Sequence, residues 1–380
     1  QLAPGHPDPQ CNRAVALREL NRLDDARTAL EAVLARHAEH AQAWNLLGTV
    51  LHRQGCDSQA LQAYQRALAL QPALADAHGN AAQVLAQMGR AEDAIAHARR
   101  AVSLDAGNAA FRCTLGLVLR HAGRWDEACA LLEEAHRLDP ANPVTLGYLL
   151  DEYAARCDWD AVDRHLAALR LLWAQGRAEC LSIWRLLSLP LDGQELKRVA
   201  EASAVQFPPA RPWPAGAVPR QRPARLRIGY FSADFHQHAT VALMAGLFEA
   251  HDRARFETVG LCLGHYGPGP GDAMRQRVCA AFDRFETVGH LPPADIAARA
   301  RSLGIHVAVD LKGHTKDSRQ AIFSHRAAPV QMHYIGYPGT LGMPGAIDYL
   351  VADQVLVPPE LRADYSEKII TLPGSYQAND

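Results

Sequence analysis

Residues 225–238 read Arg-Leu-Arg-Ile-Gly-Tyr-Phe-Ser-Ala-Asp-Phe-His-Gln-His, an apolar run that ends in a polar loop with two histidines. The β-branched and aromatic residues of 225–231 predict a buried strand, and a helix-like run begins at Val241. In open parallel sheets, ligands bind beyond the carboxyl ends of the strands. We therefore expect a functional site at the loop that carries Ser232, Asp234, His236 and His238.

The chain beyond this segment alternates between strand-like and helix-like stretches, which predicts a parallel, doubly wound sheet. Further strand candidates are 256–263, 282–288, 305–311, 330–335 and 347–352, and helix candidates are 241–251, 272–281 and 294–303. Two more polar loops come after predicted strands, at 310–319 and 335–344. In the first, Gly313 allows close backbone approach and Lys312, His314 and Arg319 are candidates to face an anion; glycines and prolines make the second a rigid wall. Three such loops at one sheet edge predict a pocket.

Two other patterns suggest ligands but are weaker. The Gly-Pro-Gly-Pro-Gly run at 267–271 is similar to a phosphate loop, yet its prolines lack N–H donors, which favours a plain loop. His236 and His238 have the spacing of a zinc pair, but no third ligand has matching spacing. We therefore expect no metal and no cofactor.

The first part of the sequence repeats every 34 residues. Small residues recur in register as three columns: Ala26, Ala60, Ala94 and Ala128; Gly55, Gly89 and Gly123; Gly48, Ala82 and Gly116. With Trp44, Leu47, Tyr64 and Pro72, the pattern closely resembles the tetratricopeptide repeat over residues 7–142. A decayed fifth unit occupies 143–176, where Cys157 replaces the turn glycine. Stacked units predict an α-solenoid with a concave groove, which is interpreted either as a polypeptide-binding surface or as a passive spacer or dimerisation arm.

These patterns divide the chain into four segments. Residues 1–176 form the solenoid, and residues 177–206 contain apolar runs that predict extra helices docking the solenoid onto the sheet domain. Residues 207–223 are so rich in proline that they predict a semi-rigid linker and domain boundary. Residues 224–380 form the Rossmann-like sheet domain, so the fold class is α plus α/β.

Composition excludes some classes of function. A formal net charge of −2 lacks the basic footprint of nucleic-acid binding, and no window is long and apolar enough to span a membrane. The eight cysteines form no CxxC pair and several fall at apolar helix positions, as in a reduced, cytoplasmic protein.

Motifs of the sheet domain closely resemble the O-linked N-acetylglucosamine transferase family. They are Asp234-Phe-x-x-His238, Gly313-His-Thr, Arg326-Ala-Ala-Pro-Val-Gln, Ile335-Gly-Tyr-Pro-Gly-Thr, Ile347-Asp-Tyr and Tyr365-Ser-Glu-Lys. The resemblance implies repeats followed by a GT-B catalytic domain, which transfers N-acetylglucosamine from UDP-GlcNAc to Ser or Thr hydroxyls with inversion and without a metal. His238 is implied to be catalytic, either as general base or as a positioning group. Substrate-binding roles are implied for Asp234, His314, Thr315, Ile335, Gly336, Tyr337, Pro338 and Thr340.

Three departures from the family pattern leave alternatives open. The family's nucleotide-binding half has no counterpart before Asp380, so we expect a C-terminal catalytic half in further sequence or a separate chain. The Gly313-His-Thr motif, with histidine at position 314, resembles the plant SPINDLY branch. GDP-fucose and UDP-glucose therefore remain alternative donors. A non-catalytic repeat scaffold is a third hypothesis. The family's asparagine ladder is thin, because Asn12 and Asn80 match while Leu46 and Thr114 do not.

Overall fold

A computed structural model describes residues 7–20, 22–177, 183–205, 207–213, 223–264 and 272–380. The chain forms two compact units, Gln1–Leu172 and Trp173–Asp380. The division lies close to residue 176, where we expected the solenoid to end, and it precedes the Pro-rich segment 207–223. The reason is that both segments before the sheet bond to it: Lys197 Nζ donates to the Ala363 carbonyl at 2.9 Å, and the Arg211 N–H donates to the Ser324 carbonyl at 2.8 Å.

The first unit consists of helix pairs with one pair in each predicted repeat, the decayed fifth included. The helices are α1 Pro7–Glu19, α2 Leu23–Arg36, α3 Ala41–Arg53, α4 Asp57–Leu70, α5 Ala75–Gln87, α6 Ala91–Leu104, α7 Ala109–His121, α8 Trp125–Leu138, α9 Pro143–Ala155 and α10 Trp159–Ala174. The prediction of a repeat solenoid is confirmed, since these boundaries match the 34-residue register of the sequence.

The small-residue columns explain the packing of each pair. Ala26, Ala60, Ala94 and Ala128 are fully buried, and a methyl group at Gly48 would lie 2.5 Å from the Tyr64 ring, so only glycine lets these helices approach so closely. The turn between the two helices of a pair needs a left-handed residue. The φ angle of this residue is near +76° at Gly55, Gly89 and Gly123. In the fifth repeat Cys157 takes this position, with φ of +58°.

The second unit is a parallel α/β sheet preceded by two helices. Its helices are α11 Ile183–Leu186, α12 Gly193–Ala204, α13 Ala239–Glu249, α14 Ala273–Ala281, α15 Pro293–Ser302 and α16 Ala321–Ser324, with a 3₁₀-helix at Pro359–Asp364. Its strands are β1 Leu226–Ser232, β2 Phe256–Cys262, β3 Arg284–Thr287, β4 Val307–Asp310, β5 Val330–His333, β6 Tyr349–Ala352 and β7 Lys368–Thr371. The six predicted strands are confirmed. Sequence reasoning missed β7, which has only four residues.

The strand order is β3-β2-β1-β4-β5-β6-β7, and all pairs are parallel. The chain first winds outward from β1 through β2 to β3, then returns to the other side of β1 with β4. The order therefore reverses between β1 and β4, where Phe231 pairs with Asp310. Such a reversal opens a crevice at the carboxyl ends of the two strands, and it is the usual ligand position in this fold class.

Aromatic and aliphatic side chains of strands and helices pack together in one buried cluster, which includes Tyr230, Phe235, Phe248 and Phe282. None of the described helices is long and apolar enough to cross a membrane.

Candidate functional site

A cavity of about 630 Å³ lies in the second unit at the reversal point between β1 and β4. Five predicted site residues line it: Asp234, His238, His314, Thr315 and Gly336. The other lining residues are Trp184, Thr240, Leu311, Lys312 and Lys316. The loops after β1, β4 and β5 therefore meet at one edge, as the alternation of strands and helices predicts.

A buried ion pair forms the floor of this cavity. Lys312 Nζ donates to Asp234 Oδ2 at 2.6 Å, and the two side chains are only 4% and 9% exposed. The pair joins the loop after β1 to the loop after β4. Because each charge neutralises the other, the pair brings no net charge to the cavity.

His238 stands at the N-terminus of α13 and is the most exposed predicted site residue on this loop. The backbone N–H of Thr240 donates to His238 Nδ1 at 3.2 Å, so the imidazole caps the helix. Asp234 Oδ2 lies 3.6 Å from the same nitrogen, beyond hydrogen-bond range. In the neutral ring, an accepting Nδ1 requires the proton to be on Nε2, so His238 presents an N–H donor beyond the cap.

His314 is a neutral group in the opposite wall. Its Nε2 donates to the Leu341 carbonyl at 3.0 Å, and burial lowers the pKa of the imidazole to about 4. Nδ1 therefore carries no proton at neutral pH and acts as a hydrogen-bond acceptor. The neighbouring Thr315 hydroxyl donates to the Lys312 carbonyl at 2.9 Å, which fixes the turn of this loop.

A second buried pair, Asp310 and His333, holds the site loops from beneath. Asp310 accepts the backbone N–H groups of Lys312 and Gly313, each at 3.0 Å, and its Oδ2 lies 3.1 Å from His333 Nδ1. His333 Nε2 lies 2.8 Å from the Tyr337 carbonyl. Burial by itself would lower the pKa of His333, but the hydrogen bond and charge of Asp310 outweigh it and raise that pKa. Through these contacts the His333 ring links the end of β4 to the loop after β5.

The loop after β5 contributes one lining residue and several supporting ones. Gly336 faces the cavity. Ile335 has φ of +66°, a strained conformation for a β-branched residue. Tyr337 is 2% exposed and Thr340 is 4% exposed, and the Thr340 hydroxyl donates to Glu367 Oε2 at 2.7 Å. Pro338 accepts a hydrogen bond at its carbonyl from the Tyr365 hydroxyl at 3.3 Å. The structure thus places Ile335, Tyr337, Pro338 and Thr340 behind the cavity wall.

The anion-facing role expected for the loop at 310–319 receives little support. Arg319 donates to the carbonyls of Gly289 and Leu291 at 2.6 and 2.7 Å, Lys312 is paired with Asp234, and His314 is uncharged at neutral pH. Lys316 is left as the exposed cation of this wall. The Gly-Pro run at 267–271 lies outside the described residues.

The two histidines of the zinc hypothesis have ring centroids 5.7 Å apart. Within the described ranges, no group of three or more His, Cys, Asp or Glu side chains is arranged to hold a metal ion.

Sequence reasoning missed several residues of the site. Asp310 sits at a strand end, as Asp234 does, and that position is the signal that identifies it. Lys312 was expected to face an anion, and its pairing with Asp234 was missed. Trp184 lies about 40 residues before β1 in an apolar run that gave no sign of a site. His333 reads as an ordinary strand residue, because nothing local marks it as the partner of Asp310.

Two protein-family models match the two parts of the chain. Residues 210–380 match the family model described as Glycosyl transferase family 41. This region is therefore similar to glycosyl transferase family 41. The first part matches the Tetratricopeptide repeat model over residues 11–75, 58–109 and 79–143. The resemblance predicted from the motifs is thereby confirmed.

The chain is similar to named proteins of plants and animals. It is 36% identical over 156 residues to the Arabidopsis thaliana protein "Probable UDP-N-acetylglucosamine--peptide N-acetylglucosaminyltransferase SEC", covering 41% of this chain and 16% of the relative. It is 34% identical over 161 residues to the UDP-N-acetylglucosamine–peptide N-acetylglucosaminyltransferase of Caenorhabditis elegans, covering 42% of this chain and 14% of the relative.

A solved structure similar to both parts of the chain is a mutant O-GlcNAc transferase of Thermobaculum terrenum. It matches with a TM-score of 0.54 and 26% identity, over 90% of this chain and 59% of that one. The matched part of the chain spans only about a sixth of the curated relatives.

Proposed function

We propose that the protein acts as a glycosyltransferase that moves N-acetylglucosamine from UDP-GlcNAc to Ser or Thr hydroxyls of polypeptides, with inversion. The observation that carries this proposal is the cavity at the strand-order reversal of the region similar to family 41, where His238 stands beside a buried Lys312–Asp234 pair. Relatives named for this activity support the choice of donor. The C-terminal catalytic half, in further sequence or a separate chain, would supply the nucleotide site.

The reaction joins the acceptor oxygen to C1 of the sugar as the bond from C1 to the phosphate oxygen breaks. UDP leaves with the electron pair of that bond, and the hydroxyl proton must be taken up by a base. The three loops at the cavity would hold the sugar, with the accepting Nδ1 of His314 and the Gly336 backbone among its contacts. We propose no metal and no cofactor for this step.

For His238, the geometry favours positioning over proton abstraction. Its Nδ1 accepts the Thr240 N–H, and Asp234, whose Oδ2 lies 3.6 Å from that nitrogen, is already paired with Lys312 at 2.6 Å. A base at Nε2 would need that proton to move to Nδ1 and the helix cap to break. We therefore propose that His238 Nε2–H donates to an oxygen of the acceptor or the donor.

The repeats are proposed to hold the acceptor polypeptide in their groove, and the cytoplasm is the proposed compartment. In the groove, Asn80 Nδ2 donates to Asn45 Oδ1 at 3.0 Å, so part of the thin asparagine ladder is engaged within the solenoid. The absence of a CxxC pair in the sequence supports a reducing compartment.

The test is transfer by the natural full-length protein. With UDP-GlcNAc and a Ser/Thr peptide library, we expect UDP release and a peptide mass gain of one N-acetylhexosamine. GDP-fucose and UDP-glucose are tested in parallel as alternative donors. Transfer from either of them in preference to UDP-GlcNAc would change the assigned sugar donor. An absence of transfer with all three donors would leave the repeat scaffold as the function.

Two variants separate the roles of His238. Alanine should abolish transfer, because it removes the side-chain donor. Asparagine keeps a capping acceptor at the start of α13 and an N–H donor, so it should retain a measurable part of the activity if His238 positions an oxygen. An inactive His238→Asn variant with an unchanged melting temperature would instead support the general base.

A further inference from the structure

Trp184 is an exposed tryptophan at a ligand cavity. It lies on α11 in the cavity wall, and half of the residue, 50%, is exposed to solvent. Large apolar rings exposed at a concave site are typical ligand contacts, since burying them on binding is favourable. Sequence reasoning and the family motifs assign no role to this residue.

The indole is supported from one side by a buried aromatic row. Its ring centroid lies 6.1 Å from that of Tyr337 at an interplanar angle of 49°. Tyr337 in turn meets the His314 ring edge to face, at 5.2 Å and 87°. Because Tyr337, the middle ring of the row, is only 2% exposed, it gives Trp184 a fixed support and leaves the indole open to the cavity.

The polar side of the cavity suits an uncharged, hydroxyl-rich ligand. Lys312 and Asp234 neutralise one another, His314 is neutral and offers an acceptor, and Thr315 binds its own loop. Among the described lining residues, Lys316 is the cation left outside these contacts. A pyranose fits such a site, because its hydroxyls hydrogen-bond at the ring edge while its axial C–H groups form an apolar face.

We propose that Trp184 stacks on the apolar C–H face of the transferred pyranose and so sets the affinity of this site for the sugar. The inference rests on the proposed function and deepens it, since it names the residue that holds the sugar against the three strand-end loops. The nucleotide is not part of this contact.

The experiment compares ligands with and without the sugar in the natural full-length protein. Calorimetry with UDP-GlcNAc and with UDP should show that Trp184→Ala weakens UDP-GlcNAc binding about fivefold and leaves UDP binding unchanged. Trp184→Phe keeps a ring and should recover most of the loss. Trp125→Ala and Trp159→Ala are matched controls, because these tryptophans are 53% and 52% exposed but lie on repeat helices.

Saturation-transfer NMR with methyl N-acetylglucosaminide tests the contact without a nucleotide. We expect transfer to the axial ring protons in the wild type and its loss in Trp184→Ala. No transfer in the wild type, or equal weakening of UDP and UDP-GlcNAc in Trp184→Ala, would overturn the inference. If the glycoside contact depends on Trp184 but no donor is turned over, the proposed function fails and this inference stands.

Discussion

The two units differ in how many charged side chains they bury. Among the described residues of the repeat unit, the buried charged side chain is Glu152, which Arg120 holds. The sheet unit buries many more, and several surround the cavity or support its loops: Asp234, Asp310, Lys312, His333 and Glu367. Burying charge is unfavourable unless each group is paired and hydrogen-bonded, so a cluster of such groups marks a place where something other than stability is needed.

Backbone strain is distributed in the same way. In the repeats, the left-handed turn positions Gly55, Gly89 and Gly123 have open space around them. In the sheet unit, a methyl group at Gly313 would lie 2.5 Å from Tyr337 Cβ, and Ile335 is itself left-handed. The turns of the solenoid repeat regularly and leave room for a side chain, whereas the site loops pack tightly against one another.

The largest effect is expected from Asp310→Ala. The change leaves two backbone N–H groups and the buried His333 without their acceptor, which should lower the free energy of unfolding by about 3–5 kcal/mol. Urea unfolding, with hydrogen exchange assigned to each unit, measures the loss. Asp93→Ala is the control, since it breaks an exposed pair with Arg90 and should cost less than about 1 kcal/mol. Equal costs for the two variants would refute the contrast between the units.

Alanine in place of glycine should separate the two kinds of loop. At Gly336 the added methyl group would collide with the backbone carbonyl of Leu311, so we expect a loss of about 3 kcal/mol. At Gly89 the methyl group meets open space and only the left-handed φ of +75° opposes it, at about 1 kcal/mol. The same unfolding assay ranks the two, and a Gly336→Ala protein as stable as Gly89→Ala would show that the site loop can relax.

His333 in the sheet unit and the His78–His97 pair in the repeats should respond to pH in opposite ways. Asp310 raises the pKa of His333, so its contribution is present below the unfolded pKa of about 6.5 and lost as pH rises through the folded pKa. Burial lowers the pKa of His78 and His97, whose Nδ1 atoms lie 3.0 Å apart, so the repeats should lose stability as pH falls below about 6.5.

Two variants test this contrast in the unfolding assay. The stability gap between wild type and His333→Gln should shrink from pH 6 to pH 9, because only the protonated ring donates to both of its acceptors. His97→Gln should make the repeat unit less sensitive to acid. A gap that widens with increasing pH would contradict the assignment of a protonated His333.

The smallest effect is a gain. Cys157→Gly should stabilise the fifth repeat by about 0.5–1 kcal/mol, because glycine adopts the φ of +58° without steric cost. Cys157→Ala is the matched control and should be near neutral, since it keeps the Cβ atom. Thermal unfolding of the two variants decides whether this turn obeys the same rule as those of the other repeats.

Much of the fold could be predicted from local patterns. The 34-residue register located the five helix pairs, and apolar runs located six of the seven strands. The short β7 was missed. Hydrogen bonds such as that of Arg211 to Ser324, which tie the Pro-rich segment to the sheet, leave no trace in composition.

Within the site, sequence and structure answer different questions. The sequence by itself determined the repeat architecture, the parallel sheet and the strand-end positions of Asp234, His238 and His314, because periodicity and strand ends are local properties of the chain. Only the tertiary structure decided that Lys312 pairs with Asp234, that His333 pairs with Asp310 beneath the loops, and that Trp184 faces the cavity. These contacts join residues far apart in the chain, and their energies depend on burial and distance, which exist only once the chain has folded.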